Sequence, residues 1–244
     1  MPVSQSLSQP RLAQHVRACR LGDQMIFLDL LRSKYIGVGG PQVPALSAAI
    51  LGSQAVEDAP SDTSDPAAFD AWMQRLHRRQ LLSDAPVAGP ARKPPAPIEP
   101  ITGLSPDDED RAVDSQWRSL VRLWRATVVA ATWLRWRSLA DIADRVASLR
   151  GRHSDLDDGS PTDAMRAAAA CYMHLRPFAL TTHDRCLHDS LTLVHFLAGQ
   201  GLFPRWIIGV RAHPFGAHSW VQCGGVVLND LPERVRRYRP ILVV

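Results

Sequence analysis

Over residues 1 to 83 the apolar positions come in short clusters. HVRACRL, QMIFLDL and KYIGV are β-compatible stretches separated by Gly22-Asp23 and by Arg32-Ser33, residue types that let an extended chain reverse. This pattern predicts three antiparallel strands in a meander. Gly39-Gly40-Pro41 ends it, VPALSAAIL reads as a helix, and AAFDAWMQRLHRRQLL sets Phe69, Trp72, Met73 and Leu76 at helical spacing. A three-stranded sheet has edge strands, and such an edge gives an extended peptide a place to add itself as a further strand.

Beyond residue 110 the period lengthens. Residues 111 to 137 carry a helical pattern with Trp117, Leu120, Val121 and Trp124 on one stripe, read as a face turned into the core rather than a stacking surface for nucleic acid. SLADIADRVASL follows with Ser138 as its cap, and PTDAMRAAAACYMHL opens with Pro161 near a first-turn position. In CLHDSLTLVHFLAGQG, Leu187, Leu191, Val194 and Leu197 mark one helical face and Gly199 and Gly201 its end, which puts Cys186 at a helix N-terminus. PRWIIGVRA, AHSWVQC and GVVLND then read as strands, with His218 beginning one and Asp230 ending the next.

Composition changes this picture in several ways. Residues 84 to 101 hold six prolines, which remove backbone donors and favour an extended linker. The expected organisation is a front domain over 1–83, a linker over 84–101 and a second domain over 102–244. An apolar content of 45% against 21% charged residues supports packed cores rather than disorder. The surplus of 28 basic over 24 acidic residues is too small to imply nucleic-acid binding. Four irregularly spaced cysteines indicate neither a disulfide framework nor a zinc site. SLVRLWRATVVAATWLRWRSL is interrupted by Arg122, Arg125, Arg135 and Arg137, so no membrane insertion is expected. The N-terminus lacks a charged start followed by an apolar run, and the expected compartment is the cytoplasm.

The candidate chemistry centres on Cys186. At a helix N-terminus the dipole and free N–H groups favour negative charge, which makes a thiolate more available and can stabilise an oxyanion. Such a nucleophile needs a base, and the base needs a group that fixes its tautomer. His218 and Asp230 can meet in an antiparallel hairpin; His183, His188, His195 and His213 are the alternative bases. A metal cluster of Cys186, Cys223, His213 and His218 has atypical spacing. No cofactor is called for.

RCLHDSLTLVHFL, then GVRAHPFGAHSWVQCGGVVLND and a closing YRPI, resemble the lasso-peptide B protein, a transglutaminase-like cysteine peptidase that removes the leader from a precursor peptide. The likeness covers roughly residues 171 to 244 and implies Cys186 as nucleophile, His218 as base and acid, and Asp230 as its orienting group. Where that family usually reads AHAWVE, this chain has Ser219 and Gln222, neither of which replaces a triad member. The front part is similar to the family's precursor-recognition domain, in which the leader adds a strand and packs on the last helix. Carried over, the leader-binding residues are Lys34, Tyr35, Ile36 and Val38 with Phe69, Trp72, Met73 and Leu76. The resemblance implies an α+β fold: a small winged-helix-like three-stranded domain with helices, linked to a transglutaminase-like (papain-like) peptidase domain. It also implies a precursor peptide and a lasso cyclase as partners. Acyl transfer to an amine and non-catalytic delivery of the precursor are the rival readings.

Overall fold

A computed structural model of the chain describes residues 11–52, 66–83, 99–100, 102–105, 116–151, 160–179 and 186–244. The chain divides into two compact units, Met1–Pro94 and Pro95–Val244. The expected linker falls outside the described residues except for Glu99 and Pro100.

The first unit contains β1 (Arg11–Leu12), β2 (Val16–Leu21), β3 (Gln24–Asp29), β4 (Lys34–Gly39), α1 (Val43–Leu51), α2 (Pro66–Arg78) and β5 (Leu82–Ser83). The order β2-β3-β4 is the antiparallel meander expected from the pattern, while β1 and β5 form a separate ribbon. Leu21 faces Gln24 across a two-residue turn whose Gly22 has φ +59°, a conformation that glycine adopts without strain. The β3–β4 turn is fixed by buried Asp29, whose Oδ1 accepts the N–H groups of Leu31 and Arg32 at 3.0 Å each. Alternation sends Met25 and Phe27 to the same core as Val16, Ala18 and Val38, which α1 covers with Val43 and Leu46 and α2 with Leu76. The unit is α+β; its winged-helix likeness is a finer detail that this element order does not define.

The second unit contains α3 (Gln116–Trp136), α4 (Leu139–Gly151), α5 (Asp163–Leu175), a 3₁₀ turn (Arg176–Phe178), α6 (Cys186–Ala198), β6 (Arg205–Arg211), β7 (Gly216–Cys223), β8 (Val226–Val227), α7 (Pro232–Val235) and β9 (Arg239–Val243). Its antiparallel sheet runs β8-β7-β6-β9. Helix α6 packs on β7 and α3 packs on α6. Ser138 caps α4, accepting the Asp141 N–H at 3.1 Å and donating to its carboxylate at 2.8 Å.

Three expectations need correction. The stripe of Trp117, Val121 and Trp124 faces solvent, and the buried face of α3 is Ser119, Leu123, Ala126 and Ala130. Apolar residues occur on both faces, and the small pair Ala126 and Ala130 allows the closer approach to α6. The cap of α5 is Thr162, whose side chain accepts the Met165 N–H at 3.2 Å; Pro161 precedes it. GVVLND is strand only at Val226–Val227. There the Val221 N–H donates to the side-chain Oδ1 of Asn229 at 2.8 Å instead of to a backbone carbonyl, so the ladder stops and Asp230 lies in the bend before α7.

Candidate active site

Cys186 is the first residue of α6 and His218 the third of β7, the second strand of the sheet order. His218 Nε2 lies 2.5 Å from Asp230 Oδ2. His218 is also the hydrogen-bond and charge partner of the Cys186 thiol. The backbone N–H groups of Leu187 and Ser219 also point at the sulfur. Asp230 is aimed in turn by the Leu231 N–H, which donates to Oδ1 at 2.7 Å, while Arg234 Nη1 lies 3.9 Å from the same oxygen.

Burial opposes charge on all three groups, and in each case the partners outweigh it. The Cys186 thiol is held below its ordinary value by the His218 hydrogen bond and charge and by the two backbone donors. The His218 imidazolium is supported by Asp230 and Cys186, which raise its pKa to about 9. The Asp230 carboxyl is lowered by His218, the Leu231 N–H and Arg234. Opposite charges at hydrogen-bond distance favour the ionised forms of both partners. The arrangement favours a negative charge on the Cys186 sulfur and a positive charge on the His218 ring with a carboxylate behind it, which makes a cysteine a better nucleophile.

A second layer holds this geometry. Tyr238 and Trp220 flank the His218 ring at 5.2 and 6.1 Å between centroids. They fit because the residue opposite His218 in the ladder is Gly209; a Cβ there would sit 2.7 Å from the Trp220 ring and 2.9 Å from Tyr238 Cβ. Asp189, one turn after Cys186, was not singled out from the sequence. Its carboxylate accepts from Tyr172 at 2.8 Å and from Asn229 Nδ2 at 3.0 Å, with Arg176 Nε at 3.4 Å. One side chain therefore ties the nucleophile's helix to the residue beside Asp230. Ser219 links β7 to the same helix through Ser190 Oγ at 2.8 Å, and Ser190 also accepts from Trp206 Nε1 at 3.0 Å. Gln222 accepts from Trp220 Nε1 at 3.0 Å. Both departures from the family's usual residues are thus satisfied inside the fold.

The site opens into a cavity of about 540 Å³ lined by Cys186, His218, Asp230, Asp189, Met173 and Arg176, among others. Two of the alternative histidines point elsewhere. His188 Nε2 lies 3.4 Å from the Thr127 carbonyl, and His195 packs edge-on to Trp133, where burial draws its pKa down to about 4. His213 lies in the turn between β6 and β7, and His183 lies outside the described residues. Among the described residues no group of three or more His, Cys, Asp or Glu side chains is placed to hold a metal ion.

In the first unit, Lys34 is exposed and Tyr35 and Ile36 are half-buried on β4. Ile36, Phe69, Trp72 and Met73 pack onto one core cluster at its partly open margin. Val38 and Leu76, each 1% exposed, belong to the core itself and have no surface to offer a ligand, which removes them from the expected contact set.

The family model described as "Transglutaminase-like superfamily" matches residues 108–243. The chain belongs to that superfamily. The matched span of this transglutaminase-like chain contains Cys186, His218, Asp230 and Asp189. The chain is also 45% identical over 48 residues to the Microcin J25-processing protein McjB of Escherichia coli, a stretch covering 20% of this chain and 23% of that relative. The match thus spans about a quarter of the curated relative's length. No solved structure matches.

Proposed function

We propose that this chain is a lasso-peptide B protein of the fused type, a leader peptidase that binds a precursor peptide and hydrolyses the bond between leader and core. The observation that carries this reading is the placement of His218 between Cys186 and Asp230 at the wall of one cavity, in a chain of this superfamily. The name of the partly matching McjB, a processing protein, points to the same kind of substrate.

In the proposed reaction the Cys186 thiolate adds to the scissile carbonyl. His218, protonated on the nitrogen facing the sulfur, gives that proton to the departing amine as the C–N bond breaks. A thioester between the leader's carboxyl carbon and Cys186 remains. Neutral His218 then takes a proton from water, whose oxygen attacks the thioester; the leader leaves as a carboxylic acid and the thiolate–imidazolium pair is restored. Asp230 keeps one imidazole edge occupied throughout, so the other faces the reacting atoms. The leader is captured in the first unit, where β4 stands last in its sheet order among the described strands and Ile36, Phe69, Trp72 and Met73 offer an apolar margin. The freed core amine passes to a lasso cyclase, and the chemistry runs in the cytoplasm without metal or cofactor.

Mass spectrometry of a leader-bearing precursor incubated with the full chain tests this. Hydrolysis releases leader and core whose masses sum to the precursor plus one water, and Cys186→Ala releases neither. A leader joined to an added amine would identify an acyl transferase instead, and binding without cleavage, even with the cyclase present, would identify a delivery protein.

A further inference from the structure

Ten large hydrophobic side chains stand out as exposed among the described residues, and six of them lie on α3: Trp117, Val121, Trp124, Val128, Val129 and Trp136. Trp117 is 66% exposed, Trp124 54% and Trp136 76%. The helix is well packed on its other side through Leu123, Ala126 and Ala130, so this exposure is confined to one face. Positions 117, 121, 124 and 128 follow one another at helical spacing and form a single stripe along the solvent side. A contiguous apolar surface of this kind marks an interaction site.

Charge identifies what fits it. Helix α3 contains Arg118, Arg122, Arg125 and Arg135 and no acidic residue. No ion pair joins these arginines to an acid among the described residues. Two guanidinium groups lie over tryptophan rings, Arg118 over Trp117 at 5.6 Å and Arg135 over Trp136 at 5.0 Å, and both residue types are enriched where protein interfaces are anchored. Beside the stripe runs a groove of about 480 Å³ lined by Trp117, Val121, Arg118, Arg122, Arg125 and His195, among others.

We propose that this face of α3 docks an acidic amphipathic helix presented by a partner protein. A second copy of the chain is disfavoured, because a two-fold contact would set arginine-bearing helices without acids against each other. A flat bilayer would leave the groove unfilled. Single-stranded nucleic acid stacks on aromatic rings, whereas this stripe alternates tryptophan with valine. An acidic helix answers all three features: its apolar ridge meets the stripe, its bulk enters the groove and its carboxylates reach the arginine flank. This surface is separate from the triad and does not depend on the peptidase reading.

Two labelled helix-forming peptides with the same leucine stripe, one flanked by glutamate and the other by lysine, provide the test by fluorescence anisotropy on the full chain. The acidic peptide is expected to bind about tenfold or more tightly than the basic one, as charge complementarity across an interface requires. Trp117→Ser with Trp124→Ser should abolish its binding, and Arg118→Glu with Arg125→Glu should reverse the preference. All four are exposed positions, and an unchanged circular dichroism spectrum excludes unfolding. Cys186→Ala should bind like wild type, which separates this outcome from any failure of the proposed peptidase. Equal binding of the two peptides, binding of neither, or indifference to the four substitutions overturns the proposal. So does tighter binding to phosphatidylglycerol vesicles or to oligothymidine than to the acidic peptide.

Discussion

Strands β4 and β7 are both short antiparallel strands, but β4 ends its sheet order and has one buried residue in six, whereas β7 is flanked on both sides and has five consecutive buried residues. The burial around β7 lets hydrogen bonds and charges act strongly, because the competing solvent is absent. His218, Ser219 and Gln222 each have a named partner there. Around β4 the margin is apolar and only partly covered, which suits a surface that trades water for a peptide strand. Precise chemistry needs a fixed, dry frame; capture of an extended chain needs an edge.

If that division holds, substitutions in the two regions should fail in different ways. The largest effect belongs to the triad. Cys186→Ala and His218→Ala should each lower kcat for precursor cleavage by about 10⁴-fold or more with the fold intact, read from product masses against time. Asp230→Asn should cost about 10²–10⁴-fold. It should also move the alkaline limb of the rate profile down from near pH 9, because His218 owes its raised pKa in part to the Asp230 hydrogen bond and charge. Asp189→Asn sharpens the comparison: with Tyr172 and Asn229 no longer gathered on a carboxylate, a small misplacement of the nucleophile should lower kcat about 10- to 100-fold and leave KM nearly unchanged. A matching rise in KM would assign Asp189 to substrate binding instead.

Trp72→Ala should do the reverse, raising KM for the leader-bearing precursor by roughly 10- to 30-fold, the scale of one interface anchor, while kcat stays within about twofold. A fall in kcat alone would break the separation of capture from chemistry. The smallest expected effect is read as a loss of stability. Gly209→Ala forces a methyl group against Trp220 and Tyr238 and should cost about 1–3 kcal/mol in urea unfolding.

Much of this frame was legible in the sequence because glycine and proline punctuate it. The meander, both helices of the first unit and the placement of Cys186 at a helix start follow from periods bounded by those residues. The face of α3 was not legible: apolar residues occur all round it, and only the partner surface shows that Ala126 and Ala130 pack while the tryptophans do not. The end of β8 depends on a side chain, since Asn229 takes the Val221 N–H, and no propensity registers that exchange. Asp189 sits in view within RCLHDS, yet its role rests on Tyr172 and Asn229, 17 and 40 residues away in the chain. An acid on a helix looks like a solvated charge until those distant residues are in place.

The most direct measurement is the alkylation rate of Cys186 by iodoacetamide as a function of pH, followed by peptide mass mapping in wild type and His218→Ala. A thiolate paired with imidazolium reacts well below the ordinary thiol range and shows a further rise near pH 9, where His218 loses its proton. In His218→Ala the midpoint should move up toward an ordinary cysteine. A wild-type Cys186 that titrates like an ordinary thiol, unchanged by loss of His218, would contradict the ion pair on which the proposed function rests.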